Sequence, residues 1–194
     1  MSLAKRLRAA LRDQPCRPLL TGDDPSAGNA APPAEAAVLI AVTDRSEPGL
    51  ILTVRREDLR THAGQVAFPG GRIDPGEDAT GAAVREAWEE LEMPVEQVEP
   101  ITELDPYRTI TGYRVTPVLA AIPADLPLAP HQGEVADWFE APLAFLIDPA
   151  NHQRKAMLFD GQTRHYYEIV WAGQRIWGAT AAMLVNLSRR LRWS

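Results

Sequence analysis

Cysteine is nearly missing from this chain: Cys16 is the only one in 194 residues. One thiol cannot build a disulfide framework, which points to a reducing compartment. Cys16 itself lies near the chain start and reads as an incidental thiol rather than a nucleophile. No apolar run reaches the roughly 18–20 residues that crossing a bilayer requires. The opening, MSLAKRLRAALRDQ, is basic but lacks the continuous apolar centre of a signal peptide. These absences give a cytoplasmic expectation with no membrane partner. Positive charge is scarce as well, with a formal net charge of -6. That total argues against a broad nucleic-acid-binding face, while leaving room for a local basic pocket that takes a small phosphate compound. No internal repeat is present.

What is there suffices for one domain with its own core. Leu3, Leu7, Ala10 and Leu11 recur at helical spacing, so the first residues form a short amphipathic helix that packs on the domain. Pro15 to Pro33 is rich in Pro, Gly, Ala, Asp and Ser and reads as an extended connection. The division is therefore 1–33, helix and connection, and 34–194, the main domain. Ala36–Thr43 and Leu50–Val54 form a hairpin around Glu47-Pro48-Gly49. Further strands are expected at Gln65–Phe68, Val98–Leu104, Tyr113–Ile122, Val135–Phe139 and His165–Trp171. Helices are expected at Asp78–Glu92, Pro142–Leu146 and Ala179–Leu191. The fold class is α/β, a mixed sheet covered by helices.

The segment GRIDPGEDATGAAVREAWEELEM, Gly71 to Met93, carries the chemistry. On a wheel of about 100° per residue, Val84, Ala87, Trp88 and Leu91 fall on one side and Glu86, Glu89 and Glu90 on the other. The expectation is an inward apolar stripe, including Trp88, and three carboxylates that project together. Like charges at i,i+4 destabilise a helix by roughly 0.2–0.5 kcal/mol. A divalent cation turns that repulsion into attraction, and hard oxygen ligands suit Mg2+ or Mn2+. A purely solvated acidic face is the competing reading. The preceding Pro69-Gly70-Gly71 turn favours the metal, since it allows close backbone approach and lets a carbonyl, that of Gly70, join the ligands. Arg85 and Glu77 are placed to tie the lead-in loop to the helix.

Gly71, five residues, Glu77, seven residues, then Arg85-Glu86-Ala87-Trp88-Glu89-Glu90 resembles the Nudix box. One position departs: Glu92 stands where that motif has a glycine that eases the helix exit. The resemblance implies a Nudix fold, a mixed sheet sandwiched between helices. It also implies Glu86 and Glu90 as metal ligands, Glu89 as a further ligand or base, and Gly71, Glu77 and Arg85 as structural residues. The ion would polarise diphosphate oxygens and acidify a water that attacks phosphorus.

Upstream, LTVRREDLRTHAGQVAFPGG resembles the signature of the coenzyme A diphosphatase branch, through Leu52, Thr53, Arg55, Arg60, Gly64, Phe68, Pro69, Gly70 and Gly71. Arg56 departs from it, standing where the pattern has Ser or Ala. The likeness continues through TGYRVTPV (111–118) and RIWGATAAM (175–183). It implies hydrolysis of coenzyme A, or its acyl esters, to 3',5'-ADP and 4'-phosphopantetheine. Arg55 and Arg60 are the candidate phosphate forks, ahead of Arg108 and Arg114. Glu134 is a candidate base or added ligand. His62 and His131 read as loop residues, and Trp88 and Trp177 as core. The expected partner is thus a small nucleotide, with no nucleic acid and no membrane; assembly stays open, a homodimer included. Two alternatives stand beside coenzyme A: another nucleoside diphosphate derivative such as ADP-ribose or NADH, and a non-catalytic nucleotide-binding module. A pure binder has no need of all three carboxylates.

Overall fold

The computed structural model describes residues 1–22, 32–58, 64–159 and 161–193. Arg60 and His62, with the rest of 59–63, lie outside the described residues. The chain opens with α1 (Leu3–Ala10), followed by β1 (Ala34–Asp44) and β2 (Gly49–Arg55). Two short strands, β3 (Val66–Ala67) and β4 (Gly70–Arg72), lead into α2 (Ala79–Leu91). Then come β5 (Glu99–Glu103), β6 (Tyr107–Arg108), β7 (Tyr113–Pro123), β8 (Val135–Pro142) and α3 (Leu143–Ile147). The chain finishes with β9 (Gln153–Phe159), β10 (Gln162–Trp171), β11 (Gln174–Trp177) and α4 (Ala179–Arg190).

The main sheet runs β3-β2-β1-β7-β5, with β4 on β1, β6 on β7 and β8 on β2. It is mixed: β1 and β7 pair in parallel from Ala34↔Tyr113 to Asp44↔Pro123, and the other pairs are antiparallel. Successive side chains of a strand point to opposite faces, and β1 is apolar on both. Ala37, Leu39 and Ala41 pack towards Ala83, Ala87 and Leu91 of α2. Ile40 and Val42 pack into a second cluster with Leu3 and Leu7 of α1, Leu143 of α3 and Leu184 and Leu187 of α4. Helices therefore cover both faces of the sheet, the α/β/α layering expected.

The helix α2 starts on Asp78, whose side chain accepts from the Gly81 N–H at 2.7 Å. It ends on Glu92, held left-handed at φ 52°. The missing glycine of the motif thus falls at the position where a residue without a Cβ costs least.

Four strands went unread in the sequence: β4, β6, β9 and β11. Gly70-Gly71 reads as turn punctuation, yet it pairs with β1 through Val38↔Gly70 and Ala37↔Gly71. Gln153 to Leu158 of β9 is exposed along its length, so no in-out alternation marks it. Together β9, β10 and β11 form a separate three-stranded antiparallel sheet.

Two placements on α2 need correction. Trp88 is 54% exposed rather than core, and Glu90 is 4% exposed rather than outward. The buried stripe centres near Ala87, not Val84. Counting about 100° per residue, Glu90 then lies about 60° from the centre and Trp88 about 100°. Trp177 is half-buried and belongs to neither core cluster.

Candidate active site

Two glycines set the approach of α2 to the sheet. A Cβ on Gly70 would stand 2.4 Å from the carbonyl oxygen of Ala37, and one on Gly71 would stand 2.4 Å from Glu86 Oε1. Only bare backbone lets β4 lie between β1 and the carboxylates of α2. Glu90 sits in that contact. Its Oε2 accepts the Gly70 N–H at 3.3 Å, and its Oε1 lies 3.9 Å from Arg55 Nη1. Arg55 comes from the end of β2, and its Nε is buried without a hydrogen-bond partner among the described residues.

Burial pushes the Glu90 carboxyl up to about 8; Arg55 opposes this, and the charges of Glu86 and Glu134 add to it. Burial also raises Glu86, against Arg85, with Glu89 and Glu134 adding. Glu134 therefore acts on both carboxyls of α2. It stands on the loop before β8, which is pinned to the end of α2 where the His131 N–H donates to the Glu90 carbonyl at 2.8 Å. Arg56 supplies a second tie that sequence reasoning missed. Its backbone N–H donates to the Glu134 carbonyl at 3.2 Å, and its guanidinium bonds Gln132 O and forks onto Asp58. The sequence signal was there, in the departure of Arg56 from a small-residue position.

Arg85 organises the other side. Nε and Nη2 bond Glu77 at 3.1 and 3.0 Å, and Nη2 also reaches the Arg72 carbonyl at 3.0 Å. The tie between Glu77 and Arg85 is thus present. Nη1 holds Glu86 at 2.9 Å and Glu89 at 3.1 Å, so the acidic face has its own counter-ion. Glu89 is turned to Arg85 and half-exposed, apart from the buried Glu90. Among the described residues, no three His, Cys, Asp or Glu side chains are arranged to hold a metal ion as they stand.

The donor chemistry nonetheless fits a hard divalent ion. Every candidate is an oxygen, and Glu90 is a buried carboxylate with one long hydrogen bond and one distant guanidinium against its desolvation. Glu86 and Glu90 would hold the ion, with Arg85 giving up Glu86. Arg114, another of the arginine candidates, pairs with Glu35 at 3.0 Å, outside this cluster. A cavity of about 280 Å³ lies at the opposite end of β2, lined by Thr43, Arg45, Trp138 and Glu140. It contains none of these groups.

A mixed sheet between helices sets the paired carboxylates of one helix opposite an arginine, donors suited to a hard cation and a phosphate group. Residues 33–160 match the NUDIX domain. The chain is 42% identical over 159 residues to the uncharacterized Nudix hydrolase NudL of Escherichia coli strain K12, covering 81% of this chain and 82% of that one. It is 40% identical over 158 residues to NudL of Escherichia fergusonii, with the same coverage. The chain belongs to the Nudix hydrolase family, whose members generally need divalent metal ions. Among solved structures, the Mycobacterium smegmatis Nudix hydrolase RenU is similar, with a TM-score of 0.51 and 25% identity over 59% of this chain and 73% of that one. The MutT protein of Methanosarcina mazei Go1, at a TM-score of 0.50 and 18% identity over 62% and 84%, shares the fold. Among the described residues, no helix is long and apolar enough to cross a membrane.

Proposed function

We propose that this chain hydrolyses the diphosphate bond of coenzyme A or its acyl esters, giving 3',5'-ADP and 4'-phosphopantetheine. The observation that carries this reading is Arg55. It belongs to the upstream signature that resembles the coenzyme A diphosphatase branch, and its guanidinium stands 3.9 Å from Glu90 with a buried Nε that has no hydrogen-bond partner among the described residues. A donor left unsatisfied beside carboxylates is an incomplete site, and a phosphate oxygen completes it.

Arg55 then fixes one phosphoryl group against α2, and Arg60 is assigned to the same substrate from the signature alone. A divalent ion, Mg2+ or Mn2+, held by Glu86 and Glu90 with the Gly70 carbonyl, would polarise the diphosphate oxygens and acidify the attacking water. Glu134 accepts the proton of that water, with Glu89 as the other candidate base. One new P–O bond forms from the water and the bridging P–O bond breaks, leaving two phosphate monoesters. The Arg85 fork on Glu77 keeps the Gly71–Asp78 lead-in fixed to α2 while this happens.

The test is a substrate panel with the purified chain and Mg2+ or Mn2+: coenzyme A, acyl-coenzyme A, ADP-ribose and NADH, with products identified by mass. Preferred turnover of coenzyme A or its esters to 3',5'-ADP is expected. Equal or better turnover of ADP-ribose or NADH overturns the substrate assignment and leaves the family intact.

A further inference from the structure

The outward face of the small sheet has features that core-building does not explain. Register places Lys155 opposite Tyr166 and Glu168 opposite Trp177, so these four side chains share one face, while Ile169 and Ile176 point the other way into the core. Tyr166 and Trp177 belong to neither core cluster and meet edge-on at 5.8 Å between ring centroids. Arg175 lies over the Trp177 ring at 4.7 Å and bonds the Tyr166 hydroxyl at 3.2 Å. Beneath them Glu168 is only 3% exposed, and it bonds both Lys155 and Arg175. One buried carboxylate thus fixes two cations whose own side chains stay 43% and 50% exposed.

Charge sets this face apart from the rest of the molecule. Register adds Arg164 to Lys155 and Arg175 on this face, so among the described residues three Lys or Arg stand there against Glu168, in a chain whose net charge is -6. The sheet that carries this face abuts the strand that leads to the carboxylates. β11 packs against β3, and Thr180, three residues past Trp177, donates to the Val66 carbonyl at 3.1 Å. From Val66 the chain runs through Phe68 and Pro69 directly to Gly70 at the carboxylates.

We infer that the Lys155–Tyr166–Arg175–Trp177 face is a subsite for a nucleoside bisphosphate, taking the 3',5'-ADP half of the substrate. Held cations beside an aromatic edge suit a ligand that joins a flat base to phosphate, since stacking and charge-assisted bonds are both met. Ordering the cations on Glu168 beforehand lowers the entropy lost on binding. The inference rests on the coenzyme A reading, but its test is separate.

Titrate the chelator-treated full chain with 3',5'-ADP and with 5'-AMP by calorimetry. The wild type is expected to bind 3',5'-ADP at least tenfold tighter. Arg175→Gln and Lys155→Gln each leave Glu168 one cation, which keeps the fold, and each is expected to remove most of that preference. Trp177→Leu is expected to weaken both nucleotides to a similar degree. A wild-type preference near one, or a preference untouched by both charge variants, overturns the subsite. Coenzyme A turnover by the same proteins, measured after Mn2+ is restored, separates the two claims. Normal turnover with an unaltered preference sinks the subsite alone, whereas absent turnover with a charge-dependent preference sinks only the proposed reaction.

Discussion

A divalent ion held at Glu90, 3.9 Å from Arg55, would meet a positive neighbour as well as a carboxylate. Removing that guanidinium takes away a Coulomb penalty of about 1 kcal/mol or more at such separations. Arg55→Gln is therefore expected to bind Mn2+ several-fold tighter while binding substrate more weakly; electron paramagnetic resonance reads the first effect and the Michaelis constant the second. Looser Mn2+ binding in that variant contradicts this placement. The raised Glu90 carboxyl, at about 8 against an ordinary 4.5, has a consequence for stability. From about pH 5 up to about 8 the folded, chelator-treated chain holds a proton that the unfolded chain has lost, so stability falls as pH rises through that range and levels off above it. His152, lowered mainly by burial, acts in the opposite sense only in the acidic part of that range. Urea unfolding at pH 7 and 8.5 checks the slope, which Glu90→Gln is expected to flatten. Spacing put the carboxylates of α2 on one side of the helix, and the Nudix resemblance implied their role. The burial of Glu90 was not, because a wheel centred on Val84 misjudges by about 60° where the sheet lies.

Among the elements, α2 was the most legible, since Asp78, the alanine stripe and Pro94 mark its start, face and stop. Its exit carries a cost that the sequence only hinted at. Glu92 sits left-handed at φ 52°, where a Cβ costs roughly 1–2 kcal/mol. Glu92→Gly is expected to raise stability by about 1 kcal/mol, visible as a higher thermal midpoint; a lower midpoint contradicts the assigned strain. The small sheet was mostly illegible for a definite reason. Its edge strand β9 buries neither face over Gln153–Leu158, so the period-two signal that reveals half-buried strands never arises. β4 hid for another reason: two glycines serve as strand residues because neighbouring atoms leave no room for Cβ.

On the scale of the molecule, the layering was readable because β1 and β7 are apolar on both faces, as strands covered on two sides must be. The contribution of the first helix was readable too, from Leu3 and Leu7, which are fully buried in the cluster shared with α3 and α4. Leu7→Ala is expected to lower global stability by about 2–5 kcal/mol while leaving kcat unchanged, since α1 covers the face of the sheet opposite α2. What no pattern could supply is long-range convergence: Arg55, Gly70, Glu90 and Glu134 meet only because β2, β4, α2 and the loop before β8 are brought together by the sheet order. Together these groups would form one metal-assisted hydrolytic site. The most direct measurement is steady-state turnover of coenzyme A by Glu90→Gln at saturating Mn2+, with circular dichroism confirming the fold. A loss of roughly a thousandfold or more is expected; turnover like that of the unsubstituted chain would remove Glu90 from the chemistry.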